Sequence, residues 1–497
     1  GNGELSDINA DLRTAAGSIM LEGEEIGFDA LEARLGYDPA SGRLRLRHVA
    51  VDSAKARTTF AGQVVLETGE AGEVTGFFAD LHAGETRLDL PDLLEAPVTL
   101  DAVDANFRAR LDPLRIEVAD LHTASGRLKV NARGKVATGA EGGPLTASMR
   151  AEASDMTVAD LKALWPKGVG GNARAWALEH LVSGEIPALL AQLRLGAGDP
   201  DLALDFTFDD AVVDVLDGMP AIEGGRGEAQ VRHNDMILAL AAGSVTPLPG
   251  ERIDLTGSYL DIFDFDGAVT PADIRLRASG GIDAVLALID RPPLGLVSKL
   301  DLPLGSVGGS ARVAADLEFP LLKDLLLEQI DVDVDATLSQ VSAALPLPDL
   351  PVLPVESNRL RLVGSTRALS LTGPIRVAGR PFDLAWDEDF TATTTERQLS
   401  LEGGFDLGFL AELGAEQAVM TGGDAGARLS LTVTGGEPPL GSLELDLAQM
   451  ALALPGLTWT KPAGVPARAS VAVRLAETAS IERLEVEGGG LDIAGAA

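Results

Sequence analysis

The sequence predicts a mainly β fold, a repetitive array of many short strands with a few short helices inserted. Three observations predict it. Hydrophobic residues make up 46% of the 497 residues but aromatics only 4%, and 56 Gly and 27 Pro break up the aliphatic runs, a composition suited to short strands joined by turns. Many segments alternate with the period of two that gives a strand one buried face. Finally, strand, glycine and helix landmarks recur in the same order about 120 residues apart, the signature of a stacked array. The chain also exceeds the length at which a single compact core stops growing, and its apolar content excludes disorder.

The strands are legible first. In "RLRLRHVAV", Leu44, Leu46, His48 and Ala50 alternate with Arg45, Arg47, Val49 and Val51. "PLRIEVADL" sets Leu114, Ile116 and Val118 against Arg115, Glu117 and Ala119, and "LEVEG" repeats the theme with Leu484 and Val486. The long period follows from lining these up. Leu114, Ile237, Leu360 and Arg483 are spaced by 123 residues, as are Asp160, Asp283 and Asp406; Gly134 to Gly257 is 123 and Gly257 to Gly379 is 122. This divides the chain into 1–113, a shorter copy carrying Leu44, Gly62 and "LDLPDLLEA"; 114–236, with a helical insertion at 158–183; 237–359, with a short helix at 281–290; and 360–497, which stops within a strand pattern.

The helices come next. "ADLKALWP" brings Leu161, Leu164 and Trp165 together and ends at Pro166. "NARAWALEHLVSG" has Asn172 as its expected N-cap, Gly184 as its stop, and the stripe Ala173, Trp176, Ala177, His180 and Leu181. "GIDAVLALIDRPP" presents Ile282, Val285, Leu286 and Ile289. The Pro-rich stretch 343–355 reads as an edge or connector, since proline does not serve a central strand.

Charge and cysteine usage narrow the function. With 75 acidic against 40 basic side chains, the formal charge is −35, which repels phosphate backbones and argues against nucleic acid and against a broad dock on anionic headgroups. The absence of Cys removes disulfides, thiol nucleophiles and thiolate metal sites. No stretch approaches the roughly 18 apolar residues of a membrane-spanning helix. The chain opens at Gly1, which reads as a segment of a longer polypeptide whose membrane anchor lies outside it.

A search for chemistry finds no cofactor or catalytic constellation. His48, His82, His122, His180 and His233 are scattered without a helical i, i+4 pair, and read as surface or boundary histidines. No nucleophile elbow, phosphate loop or dinucleotide fingerprint is present. Asp331, Asp333 and Asp335 share one strand face and read as a solvated face that discourages edge pairing rather than as a calcium site. "DFDG" at 264–267 has Ile262 at the first loop position and Asp273 rather than Glu at the twelfth, a weak match to a calcium loop. Trp165 and Trp176 are expected to pack together, and Trp386 and Trp459 to pack within strands. The expectation is no enzyme and no metal.

Two segments carry a resemblance. "LWPKGVGGNARAWALEHLVSGEIPALLAQLRLG" (164–196) resembles the Trp-Pro…Arg-x-Trp…Gly segment of the YhdP-type, DUF3971-containing branch of the AsmA-like family. "LALIDRPPLGLVSKLDLPLGSVGGSARVAADLEFPL" (286–321) is similar to the segment that follows it there, and "IDLTGSYLDI" (253–262) fits the same pattern. The match runs over roughly 110–400. It implies a periplasmic protein of a Gram-negative envelope, tethered to the inner membrane by an N-terminal anchor this chain lacks. The body implied is a long, strongly curved antiparallel-type β-sheet, open on one side as an elongated apolar groove. The function implied is phospholipid movement towards the outer membrane, with partner proteins in the periplasm or outer membrane. Roughly 30–40 strands at about 4.8 Å each would extend on the order of 150–190 Å. The expected lining is Leu44, Leu46, Leu114, Ile116, Val118, Leu128, Val130, Leu238, Leu240, Leu360, Leu362, Leu484 and Val486. The rival readings are a sealed β stalk or scaffold that transports nothing and, more weakly, a polysaccharide-processing enzyme.

Overall fold

The computed structural model of the chain describes residues 8–21, 24–138, 145–169, 171–196, 201–215, 218–264, 269–292, 294–295, 297–298, 307–322, 325, 329–345, 352–391, 396–412, 419–434, 438–454, 456, 458–475 and 479–495. Among these, 30 strands form one antiparallel sheet, and Gly17–Leu21 pairs with Glu24–Phe28 as a separate hairpin. Four short helices interrupt the described strands: α1 (Val158–Leu164), α2 (Gly171–His180), α3 (Ile282–Ile289) and α4 (Leu407–Glu412). The chain therefore is mainly β, with short inserted helices. It divides into two compact units, one of Gly1–Val215, Ala221–Gly243 and Leu260–Thr270, the other of Leu216–Pro220, Ser244–Tyr259 and Pro271–Ala497.

In the first unit the period of two separates the sheet into an apolar and a polar face. Tyr37, Leu44, Val64, Ala79, Phe107, Val118, Gly134, Met149, Leu193 and Leu202 stand opposite one another, strand after strand. On the other face Arg45, Gln63, Asp80, Asn106 and Asp120 form a parallel row. Strict alternation fails at several places, among them two beside strand glycines. Leu46 pairs with Gly62 while Val49 pairs with Phe60, so Arg47 and His48 together face one residue across the ladder. This bulge turns His48 to the side of Arg34, its other partner, and brings Val49 to the apolar face, where it is 7% exposed. The expected grouping of His48 and Ala50 with Leu44 and Leu46 is corrected accordingly. A second bulge lies between Val118 and Leu121, beside Gly134. Both glycines are required by close approach: a Cβ on Gly62 would lie 2.1 Å from the Asp80 carbonyl oxygen, and one on Gly134 2.3 Å from that of Ser148. Bulge and glycine together bend the sheet locally.

The helical insertion begins with a capping box, in which Asp160 N donates to Thr157 Oγ1 at 3.1 Å and Thr157 N donates to Asp160 Oδ2 at 2.9 Å. Leu161 and Leu164 of α1 pack on Leu128, Met156 and Ile186 at one rim of the apolar face. The second helix starts at Gly171, before the expected cap Asn172, whose side chain lies outside the described residues. It ends at His180, where the strand Leu181–Leu195 follows at once, so Gly184 belongs to that strand and is not the stop. The end is held by Lys162, whose Nζ donates to the carbonyls of Leu178 and Leu181. The inward side of α2 is Arg174 and Ala177. Trp176 is 43% exposed and stacks on His180, so it is not in a shared core with Trp165, whose indole N–H donates to the Val169 carbonyl.

In the second unit the apolar row runs Ala278, Val313, Ala336, Leu362, Leu371, Trp386, Leu399, Leu431, Gly441 and Val473. Helix α3 buries Ile282 and packs Val285 and Leu286 on Val341, Leu360 and Ile375; Phe409 of α4 joins the same cluster. Both helices follow strands that end at one rim, and both cover that rim. A second cluster gathers Phe405, Leu447 and Met450, with Trp459 packed against it. Lys461, 1% exposed, donates to the carbonyls of Ala448, Pro462 and Val465.

The recurrent aspartates have one local role. Asp160 lies in the first turn of α1; Asp283 lies in that of α3 and accepts from Val307 N at 2.7 Å; Asp406 precedes α4 and accepts from Phe409 N at 3.0 Å. A carboxylate at a helix N-terminus meets unpaired N–H groups and the positive end of the dipole. The glycines of the period differ in setting: Gly134 lies within a strand, whereas Gly257 and Gly379 sit in turns at φ +86° and +77°. Of the stretch 343–355, expected as an edge or connector, residues 346–351 lie outside the described residues, while Ala343 and Ala344 pair with Val355 and Pro354 within two neighbouring strands. Pro354 fits there as an acceptor, its carbonyl taking the Ala378 N–H at 2.9 Å. Asp331, Asp333 and Asp335 share the polar face, but their strand is flanked on both sides, so it guards no edge.

Candidate apolar face

The strand pairings put Leu44, Leu46, Leu114, Ile116, Val118, Leu128, Val130, Leu360, Leu362, Leu484 and Val486 on the apolar faces. Leu44 and Leu46 stand in the first unit opposite Val64 and Gly62, and Leu114, Ile116 and Val118 opposite Leu111, Ala109 and Phe107. Val130 pairs with Ala153, while Leu128, 3% exposed, lies under α1. Leu238 and Leu240 are half-buried and alternate with Ile237, which is 38% exposed. In the second unit Leu360 and Leu362 pair with Leu338 and Ala336, and Leu484 and Val486 with Val471 and Ala469. Leu360 is buried in the cluster beneath α3.

These faces are not sealed. Leu12 opposite Ala33, Leu111 opposite Leu114, and Leu429 opposite Leu401 are 49%, 41% and 37% exposed. Along the second unit's row Val313, Leu362, Leu371, Leu399, Leu431 and Val473 are half-buried, whereas the interior of a filled sandwich is close-packed. Aliphatic side chains repeated in register and left partly open offer a surface to hydrocarbon, not a catalytic pocket.

Sequence reasoning missed two polar constellations. On the polar face His82 and His122 stand on either side of Asp104 in adjacent strands. His82 Nδ1 is 2.7 Å from Asp104 Oδ1, and His122 Nε2 is 2.6 Å from Asp120 Oδ2. The hydrogen bond with Asp104 raises the pKa of His82; those with Asn131 and then Asp120 raise that of His122. These two histidines are thus companions, contrary to the scattered reading. On the apolar face of the second unit, Glu388 and Arg397 pair across adjacent strands at 3.1 Å, with side chains 1% and 25% exposed. The Arg397 guanidinium lies 5.8 Å from the Trp386 ring centre. Trp386 Nε1 and Glu388 Oε2 are buried without hydrogen-bond partners.

Among the described residues, no group of three or more His, Asp or Glu side chains is arranged to hold a metal ion. None of the described helices is long and apolar enough to cross a membrane. The calcium-loop-like "DFDG", read as a weak match, falls largely outside the described residues.

Sheet and faces together define a many-stranded antiparallel β protein with a partly open apolar face in each unit. The chain belongs to the YhdP family: the family model described as YhdP protein matches residues 68–489. No curated protein and no solved structure matches the chain.

Proposed function

We propose that this chain is part of a lipid-transfer bridge in the periplasm, carrying phospholipid acyl chains along its apolar faces between the inner and outer membranes. The observation that carries the reading is the registration of mostly aliphatic, partly exposed side chains across successive strands of each unit. Membership of the YhdP family supports it. Acyl chains would lie on the aliphatic rows while headgroups stay in water, and lipids would move by exchanging many weak contacts. No covalent bond is made or broken in this process, so the reading is of a carrier and not an enzyme.

Detergent-free purification followed by lipid extraction and mass spectrometry tests the proposal. Phospholipid should accompany the wild-type chain and be largely lost from Leu362→Asp and Val118→Asp, with the far-ultraviolet circular dichroism unchanged. A monodisperse chain free of lipid would overturn the reading in favour of the scaffold, whose support is the buried cluster beneath α3.

A further inference from the structure

We propose that Trp386, Glu388 and Arg397 form a polar station for a zwitterionic phospholipid head, one that carries a phosphate and a primary ammonium. The inference rests on the reading that the apolar face carries acyl chains.

The station's position is distinctive. Glu388 is the penultimate residue of the strand Arg380–Asp389, and Arg397 the second of Glu396–Asp406. They therefore lie at the rim opposite the one that α3 and α4 cover. A lipid with its chains on the row through Leu371 and Leu399 would present its head at this rim. Leu369 is the other neighbour of Glu388 across the ladder, so the ion pair interrupts an aliphatic setting.

The chemistry follows from what is left unpaired. Burial of a carboxylate oxygen or an indole N–H without a partner is costly. Glu388 spends one oxygen on Arg397, and Oε2 is open to a donor; Trp386 Nε1 is open to an acceptor. An ammonium meets the first need and a phosphate oxygen the second, with the Arg397 guanidinium beside it. The Glu388–Arg397 pair is neutral in sum, as is a zwitterionic head, whereas an anionic head would bring an uncompensated charge to a buried site.

The test loads the purified chain from vesicles holding equal amounts of phosphatidylethanolamine and phosphatidylglycerol, then measures bound lipid by mass spectrometry. Wild type should favour phosphatidylethanolamine about tenfold, equivalent to about 1.4 kcal/mol. Glu388→Gln should abolish the preference with total lipid unchanged. The double variant Glu388→Leu, Arg397→Leu guards against misfolding, since apolar replacement of a buried pair preserves folding in well-packed cases; it too should bind lipid in vesicle proportions. Bound lipid without preference in wild type, or preference retained in both variants, overturns the station while leaving the carrier intact. Absence of bound lipid in wild type overturns both.

Discussion

Arg174 of α2 donates to Glu95 at 2.8 Å, joining segments 79 positions apart in the sequence. The same guanidinium reaches the Trp165 carbonyl at 3.2 Å, while Lys167 N donates to the Leu93 carbonyl at 2.9 Å. The helical insertion is thus clasped to the earlier turn "LDLPDLLEA". The hydrogen bond from Arg174 holds the Glu95 carboxyl below its ordinary pKa.

Because Arg174 is 8% exposed, its removal should be felt more than that of its partner. Arg174→Ala is expected to cost about 2 kcal/mol in urea denaturation, and Glu95→Gln clearly less. The Glu95 contribution is present above the ordinary carboxylate pKa of roughly 4.3 and is lost as pH falls through the lowered folded value. Equal effects of the two variants would contradict the clasp.

The paired histidines predict the opposite pH dependence. With folded pKa values raised, His82 and His122 contribute stability fully below the unfolded value of roughly 6.5, and lose it as pH rises through the folded values. Both are exposed, so the effect is modest. Titration by nuclear magnetic resonance should show both imidazoles above the free value, and Asp104→Asn should return His82 towards it.

Lys461→Met should destabilise the second unit by about 2–4 kcal/mol, because three buried carbonyls lose their donor. Equilibrium denaturation of the full chain checks this; an unchanged midpoint would show that water replaces the ammonium.

Gly62→Val should be more damaging than Gly72→Val. A Cβ at 62 meets the Asp80 carbonyl oxygen at 2.1 Å, whereas one at 72 meets nothing within 4 Å. The turn glycine at 72 has φ +83°, so a valine there costs about 1–2 kcal/mol of backbone strain, while the 62 variant must also displace a neighbouring strand. Comparative thermal melts give the ranking.

What was legible in the sequence was whatever is written locally. Leu114, Ile116 and Val118 announce their face because the strand period is two, and α3 announces its inward side through Ile282, Val285 and Leu286. The period of 123 was visible because Asp160, Asp283 and Asp406 serve helix starts, a local requirement. Bulges were not legible: nothing in "RLRLRHVAV" marks where Arg47 and His48 share one partner, and a single extra residue moves Val49 to the other face. His82 and His122 are brought together by strand pairing across forty positions of sequence, which spacing along the chain does not reveal. Glu388, flanked by Asp387 and Asp389 in "DEDF", looks like its solvated neighbours until the register turns it inward.

The rim that α3 and α4 cover and the rim that holds Glu388 are the two long borders of the second unit's apolar face, and only one is roofed by helices among the described residues. A molecule resting on that face has hydrocarbon beneath it and a helical wall along one flank. If the face carries lipid as proposed, its loading and unloading within the unit would be sideways and one-handed, through the border where the ion pair stands.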